Sequence, residues 1–409
     1  MPFTNRKTAL VEFIILMASM SSLMALSIDA ILPALPLIGA DLGVVRANDN
    51  QLLISSLFVG MAFGLLIFGP LSDSFGRKPP LAAGLGLFVL GCLISIGAHG
   101  FEQMLIGRVI QGIGLAAPRV VSLAMIRDLF HGEGMAKVMS FVMMVFILVP
   151  ALAPALGQAI LWIAPWQAIF WMYLVLSMVV LVWFTLRQPE TLVPEKRTPF
   201  GPINILQQVF QILKTREAMG PTTTIGIVFG AFLGYLSTAQ QIFGGMYDRA
   251  AQFPLYFGAL ALVFGGASLL NSRLVQVYKM RPLALTTLAI LSACSGGFFL
   301  VALNSGGVPP FWAFMLFLAA SFMCIAILFG NLNAMAMEPL GKIAGIGAAV
   351  VGTFSTLISA GLGVLIGQLY DDTLIPMASG FACLGLASMV ILMVTTKTGK
   401  DPIDAEISL

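Results

Sequence analysis

The chain has 409 residues, of which 59% are hydrophobic and 10% charged, with a mean hydropathy of +0.98; soluble domains carry roughly a quarter charged residues, so an ordinary water-soluble globule is excluded and lipid becomes the solvent for most of the chain. The net charge of +3 comes from Lys and Arg scattered singly or in pairs, with no basic stripe interleaved with aromatics, which argues against a nucleic-acid partner. Cys92, Cys294, Cys324 and Cys383 each stand alone in apolar stretches, and His99 and His131 have no second ligand at metal spacing; neither a metal centre nor another cofactor is expected.

Lipid imposes helices, because an apolar run of about 20 residues must satisfy its own backbone hydrogen bonds. Arg6 and Lys7 precede a first apolar run that continues through Pro33 without a small-residue cleavage site, so it reads as a retained helix and not as a signal peptide. Apolar segments follow at approximately 9–38, 50–71, 79–98, 103–125, 138–162 and 167–187, and again at 219–243, 254–275, 282–303, 310–334, 343–368 and 375–396. The reading is an all-α membrane protein with twelve transmembrane helices in two pseudo-symmetric six-helix halves. Residues 1–187 form the N-terminal half, 188–218 a cytoplasmic linker, 219–396 the C-terminal half and 397–409 a cytoplasmic tail. Short cytoplasmic loops collect Lys and Arg. With the N-terminus inside, Arg46 and Arg249 fall outside, Arg108 and Arg119 fall within helices, and the other 17 of the 21 basic residues are cytoplasmic. Both termini are therefore expected in the cytoplasm. Two halves around a central linker is the outline of transporters that rock about a midplane site.

Between the second and third segments lies Gly69-Pro70-Leu71-Ser72-Asp73-Ser74-Phe75-Gly76-Arg77-Lys78-Pro79. Gly69 and Gly76 permit tight turning and close helix approach, and Asp73 can cap the next element or pair with Arg77. Here the chain resembles the major facilitator superfamily, whose loop signature is a glycine, an aspartate and then Gly-Arg-Lys. The resemblance implies a conformational latch formed by Gly69, Asp73, Gly76, Arg77 and Lys78. Further strings narrow it: Asp29 to Pro36, Arg108-Val109-Ile110-Gln111-Gly112, Pro150 to Gly157, Pro189-Glu190-Thr191-Leu192, Glu338-Pro339-Leu340-Gly341 and Gly363 to Gln368. Together they are similar to the drug:proton antiporter branch, bicyclomycin-resistance (Bcr/CflA) type. That resemblance implies the major facilitator fold, multidrug efflux and antibiotic resistance, a bacterial inner-membrane location and a monomer. The chain departs from the pattern in three places: the fifth segment is poorer in glycine, Trp166-Gln167 replaces Trp-Arg, and Ser21 and Ser22 stand where related exporters carry an acidic residue. Pro150 and Pro154 weaken the ladder of the fifth helix and, with Gly157, mark it for bending.

Ionisable groups at membrane depth are costly and are functional hypotheses by default. Three fall well inside the segments: Asp29, Arg108 and Arg119. Asp29 and Arg108 are at similar depth by residue rise. Asp29 is assigned as the proton-carrying carboxylate, since burial and a neighbouring cation act oppositely on its protonation and a conformational change would move the proton. Arg108 either competes with that proton or holds helices in register; the alternative is that Asp29 faces water at the helix end while Arg108 snorkels outward. Arg119, eleven residues further along and about 16 Å deeper, either faces a central cavity, where it would attract anionic or electron-rich groups, or is spent on a structural ion pair or on snorkelling. Candidate substrate contacts are Phe232, Tyr235, Gln240 and Gln241 in the seventh segment, Asn331 and Asn333 in the tenth, and an adaptable wall of Met143 and Met144 in the fifth, although packing or lipid contact explains each singly.

No phosphate-cradling G-x-x-x-x-G-K-[ST] string occurs, so ATP is not the energy source, and the loops leave no room for a soluble catalytic domain. The expected function is proton-coupled antiport of small, mainly apolar organic compounds, with small-molecule substrate, protons and the lipid bilayer as partners. A dedicated carrier of one metabolite, and a non-transporting receptor on the same fold, are the rivals. No enzyme is expected, since no nucleophile–base cluster is present.

Overall fold

The computed structural model describes residues 6–198 and 201–395, and every regular element in them is helical. The long helices are α1 (Arg6–Asp29), α3 (Leu52–Phe75), α4 (Lys78–Ile96), α5 (Phe101–Leu129), α6 (Gly132–Leu161), α7 (Gln167–Arg187), α9 (Arg216–Gln240), α10 (Phe253–Val277), α11 (Met280–Asn304), α12 (Phe311–Met337), α13 (Ala344–Gln368) and α14 (Ile375–Thr395). Two shorter ones, α2 (Leu35–Asp41) and α8 (Pro202–Lys214), lie between them. Among the described residues, 11 segments are long and apolar enough to cross a membrane, and α6 contributes the apolar run Leu148–Leu161.

The outer surface fits a bilayer. Phe63, Leu90, Val179, Leu262, Leu300 and Leu316 are all exposed, a distribution that would drive a soluble protein to aggregate and that lipid instead solvates. The interior is held by close backbone approach. Between α3 and α5, a Cβ added to Gly60 would run into the Val109 carbonyl, and one added to Gly112 would run into the Leu57 carbonyl. Along α9, Gly226, Gly230 and Gly234 face Ile358, Leu362 and Ile366 of α13, one turn apart on both helices. Small residues let helices in lipid gain dispersion contact that bulky ones would prevent.

Within the first group of helices, α3 and α4 pack on α5, α4 on α7, and α1 on α6 and α7. In the second, α9 packs on α12, α13 and α14, α10 on α12, and α11 on α12 and α14. The pairs α3–α13 and α6–α10 join the two groups.

Two boundaries differ from the hydropathy reading. The first apolar segment is not one helix: α1 stops at Asp29, a 3-10 turn spans Leu32–Ala34, and α2 follows. Pro33 and Pro36 cause this, since neither can donate to a helical ladder. The interval between α7 and α9, read from its polarity as a linker, contains α8, whose Ile212 is buried against neighbours while Ile203, Leu206 and Phe210 are exposed. The C-terminal tail, 397–409, lies outside the described residues.

Candidate functional site

The break after α1 creates the first element of the site. A helix end leaves carbonyls without intrahelical donors, and lipid cannot supply them. Arg108 supplies one, and Tyr173 adds a second donor to the Leu26 carbonyl, which already accepts from the Ala30 N–H (2.9 Å). The Arg108 guanidinium donates through Nη2 to the Ser27 carbonyl (3.0 Å), through Nε to the Leu53 carbonyl (2.9 Å) and through Nη1 to Gln111 Oε1 (2.8 Å). Tyr173 donates its hydroxyl to the Leu26 carbonyl (2.9 Å), and Gln111 in turn donates to Ser95 Oγ (3.1 Å). Arg108 is fully buried, so it does not snorkel. A cation at a helix C-terminus is also favoured by the helix dipole. Arg108 thus fixes the last turn of α1 against α3 and α5, which sets where Asp29 points.

Asp29 points into a cavity. The cavity's walls are stripes at helical spacing: Met24, Ala25, Ile28 and Asp29 from α1; Ile225, Phe229, Phe232 and Leu236 from α9; Phe257, Ala261, Phe264 and Ser268 from α10. Phe58 and Met61 of α3, Arg119 of α5, Pro150 of α6, Phe322 and Phe329 of α12, and Ser355, Thr356 and Ser359 of α13 complete it. Four of its aromatics form one cluster: Phe229 lies 5.3 Å from both Phe232 and Phe329, and Phe232 meets Phe322 edge-on at 5.2 Å. Asp29 is buried and, among the described residues, accepts no hydrogen bond. Among the described residues, Arg119 donates a hydrogen bond to Met61 Sδ, at 3.7 Å from Nη1. Ion pairs among the described residues include Arg46–Asp49, Arg77–Asp73, Arg77–Asp128 and Arg187–Glu12. Neither cavity charge is in one of these pairs, and Arg119 lines the cavity.

Of the substrate contacts expected from sequence, Arg119 and Phe232 are on this lining. The others lie elsewhere. Tyr235 is fully buried behind Phe232 and Phe322, and its hydroxyl has no hydrogen-bond partner. Met144 is 56% exposed on the outer face of α6, and the side chain of Met143 lies outside the described residues. Asn331 donates to Asn271 Oδ1 (3.0 Å), tying α12 to α10, and Asn333 donates to the Phe329 carbonyl (2.8 Å). Gln240 is off the described lining, with a buried Oε1 that finds no donor. Pro150 and Pro154 leave α6 continuous, and Gly157 lies where α6 crosses the Ala30 carbonyl.

Gln241 belongs to a set of amides at one end of the bundle. Gln51 donates to Gln241 Oε1 (2.9 Å), Gln241 donates to Asn48 Oδ1 (3.0 Å), Asn48 donates to the Tyr370 carbonyl (2.8 Å), and Gln368 donates to the Asn48 carbonyl (3.0 Å). These bonds bridge the start of α3 to the ends of α9 and α13.

The opposite end carries the glycine-rich loop. Gly76 has φ +94°, open to glycine alone without strain, and turns the chain so that Arg77 folds back. Arg77 donates to Asp73 Oδ1 (2.5 Å), to Asp128 Oδ2 (2.8 Å) and to Ser72 Oγ (3.0 Å). Burial opposes its charge, but the Asp128 and Asp73 carboxylates outweigh that and hold its pKa above the ordinary value. Glu190, after α7, accepts through Oε1 from the backbone N–H of Arg77 (2.8 Å), Thr191 (3.0 Å) and Leu192 (3.0 Å), and through Oε2 from that of Lys78 (3.1 Å). Partial burial works against its charge, and the four donors more than offset it, leaving the carboxyl below its ordinary pKa. Gly69 packs near Ala349 and Asp73 lies beside Gly345, both glycine-rich approaches to α13. Sequence reading missed Asp128; an acidic residue next to Arg127 in a basic loop was the only signal.

Comparison with known proteins is consistent with this architecture. The Major Facilitator Superfamily profile matches residues 17–364. A bicyclomycin resistance protein homolog of Haemophilus influenzae is 30% identical over 401 residues, 97% of this chain and 99% of that protein. The multidrug resistance protein MdtL of Klebsiella pneumoniae is 27% identical over 386 residues, 90% of this chain and 92% of that protein. Among solved structures, the Escherichia coli xylose transporter XylE in a partially occluded inward-open conformation superposes with a TM-score of 0.75 at 15% identity, covering 96% of this chain and 99% of XylE. The human organic anion transporter MFSD10 gives 0.69 at 16% identity, covering 94% and 99%; both likenesses concern the fold. A multi-spanning helical bundle with a central cavity, matched by this profile over most of its length, belongs to the Major Facilitator Superfamily, the secondary active transporters that carry small molecules by alternating access.

Proposed function

We propose that this transporter is a proton-coupled antiporter of the bicyclomycin-resistance (Bcr/CflA) type, exporting small, mainly apolar organic compounds across a bacterial inner membrane. In this reading its twelve helices form two pseudo-symmetric halves joined by residues 188–218, with both termini in the cytoplasm. The names of the relatives above support the export of drugs, and the scatter of basic residues supports the orientation. The observation that carries the reading is the Asp29 carboxylate, set without a hydrogen bond from the described residues on the wall of a largely apolar, aromatic-rich cavity. A buried carboxylate lacking a partner is costly when ionised, so its natural partners are a proton or a bound ligand.

Asp29 takes a proton when the cavity opens outward and gives it up inward, where substrate competes for the same wall. Arg108 positions Asp29 through the Ser27 carbonyl and does not itself exchange the proton. The α3–α4 junction of Gly69, Asp73, Gly76, Arg77 and Lys78 biases which end is closed, and the proline-weakened α6 accommodates the bending.

The test is substrate-induced proton release from the purified protein in detergent, with a panel of lipophilic cations, neutral antibiotics and anions, on the wild type and Asp29→Asn. Release that disappears in the variant is expected. Binding without release in the wild type would remove Asp29 from the mechanism and leave a uniporter or a receptor. Arg119 favours a second reading, a dedicated carrier of one charged metabolite, because a purely apolar cargo has no use for a guanidinium in the cavity wall.

A further inference from the structure

The cavity holds two opposite charges that do not neutralise each other. Asp29 and Arg119 both line it, and neither forms an ion pair among the described residues. Uncompensated charges in an apolar membrane interior are costly and persist where a ligand completes them. Their separation can be read from α3, which both arginines touch. Arg108, level with the last turn of α1 through Ser27, reaches the Leu53 carbonyl, and Arg119 reaches Met61. Eight residues of helix separate those contacts, or about 12 Å at 1.5 Å per residue. The wall that the two charges share is aromatic on several sides: Phe58, Phe229, Phe232 and Phe322.

We infer that this cavity selects elongated amphipathic zwitterions, with a cationic group for Asp29 at one end, an anionic or strongly electron-rich group for Arg119 at the other, and an aryl body between. The inference rests on the reading of Asp29 as the carboxylate for which substrate and proton compete. A lipophilic cation satisfies Asp29 but leaves Arg119 uncompensated and adds a second positive charge to a low-dielectric space. A simple anion does the reverse. An α-amino acid, whose two charges flank a single carbon, cannot reach both groups. An aryl zwitterion reaches both and loses its own hydration against rings that stack on its body.

The test uses one scaffold in three charge states: norfloxacin, a zwitterion at neutral pH; its ethyl ester, cationic only; and its N-acetyl derivative, anionic only. Binding to the detergent-purified wild type is measured by isothermal titration calorimetry, with proton release recorded in parallel. Each charge contact contributes about tenfold in affinity, so norfloxacin is expected to bind about tenfold more tightly than either derivative. Arg119→Met removes its advantage over the ester, and Arg119→Lys retains most of it. Asp29→Asn removes its advantage over the N-acetyl form. An ester that binds the wild type as tightly as norfloxacin overturns the inference whether or not any variant folds; if its binding still releases protons through Asp29, the antiport reading survives alone. Selective binding of norfloxacin without proton release keeps the zwitterion site and sinks the antiport reading.

Discussion

Replacing Glu190 by Gln isolates how the segment after α7 is fastened to the loop between α3 and α4. The carboxylate collects four backbone N–H donors, two of them from Arg77 and Lys78 across the chain. Glutamine keeps one oxygen, which still accepts at the Arg77 side, but its amide nitrogen then meets the Lys78 N–H donor to donor, and every remaining bond loses its charge assistance. Charged hydrogen bonds contribute about 1.5–3 kcal/mol and neutral ones about 0.5–1.5 kcal/mol. Glu190 is largely solvent-exposed, so water recovers much of the difference, and about 1.5 kcal/mol remains. That is close to tenfold in the local opening equilibrium. Arg197, exposed and just ahead of the Thr198 N–H that donates to the Asp73 carbonyl (3.1 Å), is a ready trypsin site. Where opening is fast, cleavage follows the open population, so cutting after Arg197 is expected to accelerate about tenfold in Glu190→Gln with global thermal unfolding little changed. The pH dependence has a defined sign. A carboxyl held below its ordinary pKa contributes stability above its unfolded value and loses it as pH falls through the folded one. The gap between wild type and variant in local hydrogen-exchange protection is therefore constant from about pH 6 to 8 and closes below about pH 4. Equal cleavage rates at neutral pH would refute the reasoning.

Three other perturbations test separate parts of the structure. Gly112→Ala drives a Cβ into the Leu57 carbonyl, whereas Gly86→Ala meets nothing within 4 Å; the first is expected to lose about 1–3 kcal/mol, read as a lower Tm in detergent, and the second to match wild type. Gln51→Ala removes the bond to Gln241 and is expected to raise, several-fold, maleimide labelling of a cysteine placed at Ser359 in the cavity wall; unchanged labelling would deny these amides a gating role. In a cysteine-free background, Val45→Cys, at a site 96% exposed, is expected to react with impermeant maleimide on intact cells while Arg197→Cys does not, and the reverse pattern would invert the proposed orientation.

What the sequence discloses here follows from what each feature costs in lipid. Asp29, Arg108 and Arg119 stand out because charge at membrane depth is expensive anywhere, and the glycine-rich loop stands out because its spacing is specific. The aromatic wall does not. Phe229, Phe257 and Phe329 lie on helical stripes, but a phenylalanine facing lipid and one facing the cavity obey the same period, and only the neighbouring helix decides between them. Tyr235, Gln240 and Asn331 looked like ligand contacts for the same reason: a polar group in an apolar helix must face something. For Asn331 that something is Asn271, sixty residues away. Glu190 illustrates the remaining gap. Its position in a recognisable string says nothing of the four N–H groups that converge on it, because two of them belong to a loop more than a hundred residues earlier.

The two ends of the bundle are fastened by different chemistry, and the difference bears on how such a molecule can alternate. The amide set around Asn48 and Gln241 bridges the start of α3 to α9 and α13, and so lies between the two proposed halves. Four neutral bonds at about 1 kcal/mol each give about 4 kcal/mol. Shifting a two-state population from one extreme to the other needs about 5.5 kcal/mol of differential binding, so a clasp of this size is within reach of a proton and a ligand acting on Asp29. The ionic set is stronger but differently placed. Arg77, Asp73 and Asp128 belong to α3, its following loop and α5, within one proposed half, and Glu190 adds the segment after α7. Breaking these bonds is not required for the halves to separate. Their effect across the interface is indirect: they fix the end of α3, and with it the faces of Gly69 and Asp73 that meet Ala349 and Gly345 of α13. One end is thus held by weak bonds that span the moving interface, and the other by a rigid ionic body whose shape sets how closely α13 can approach.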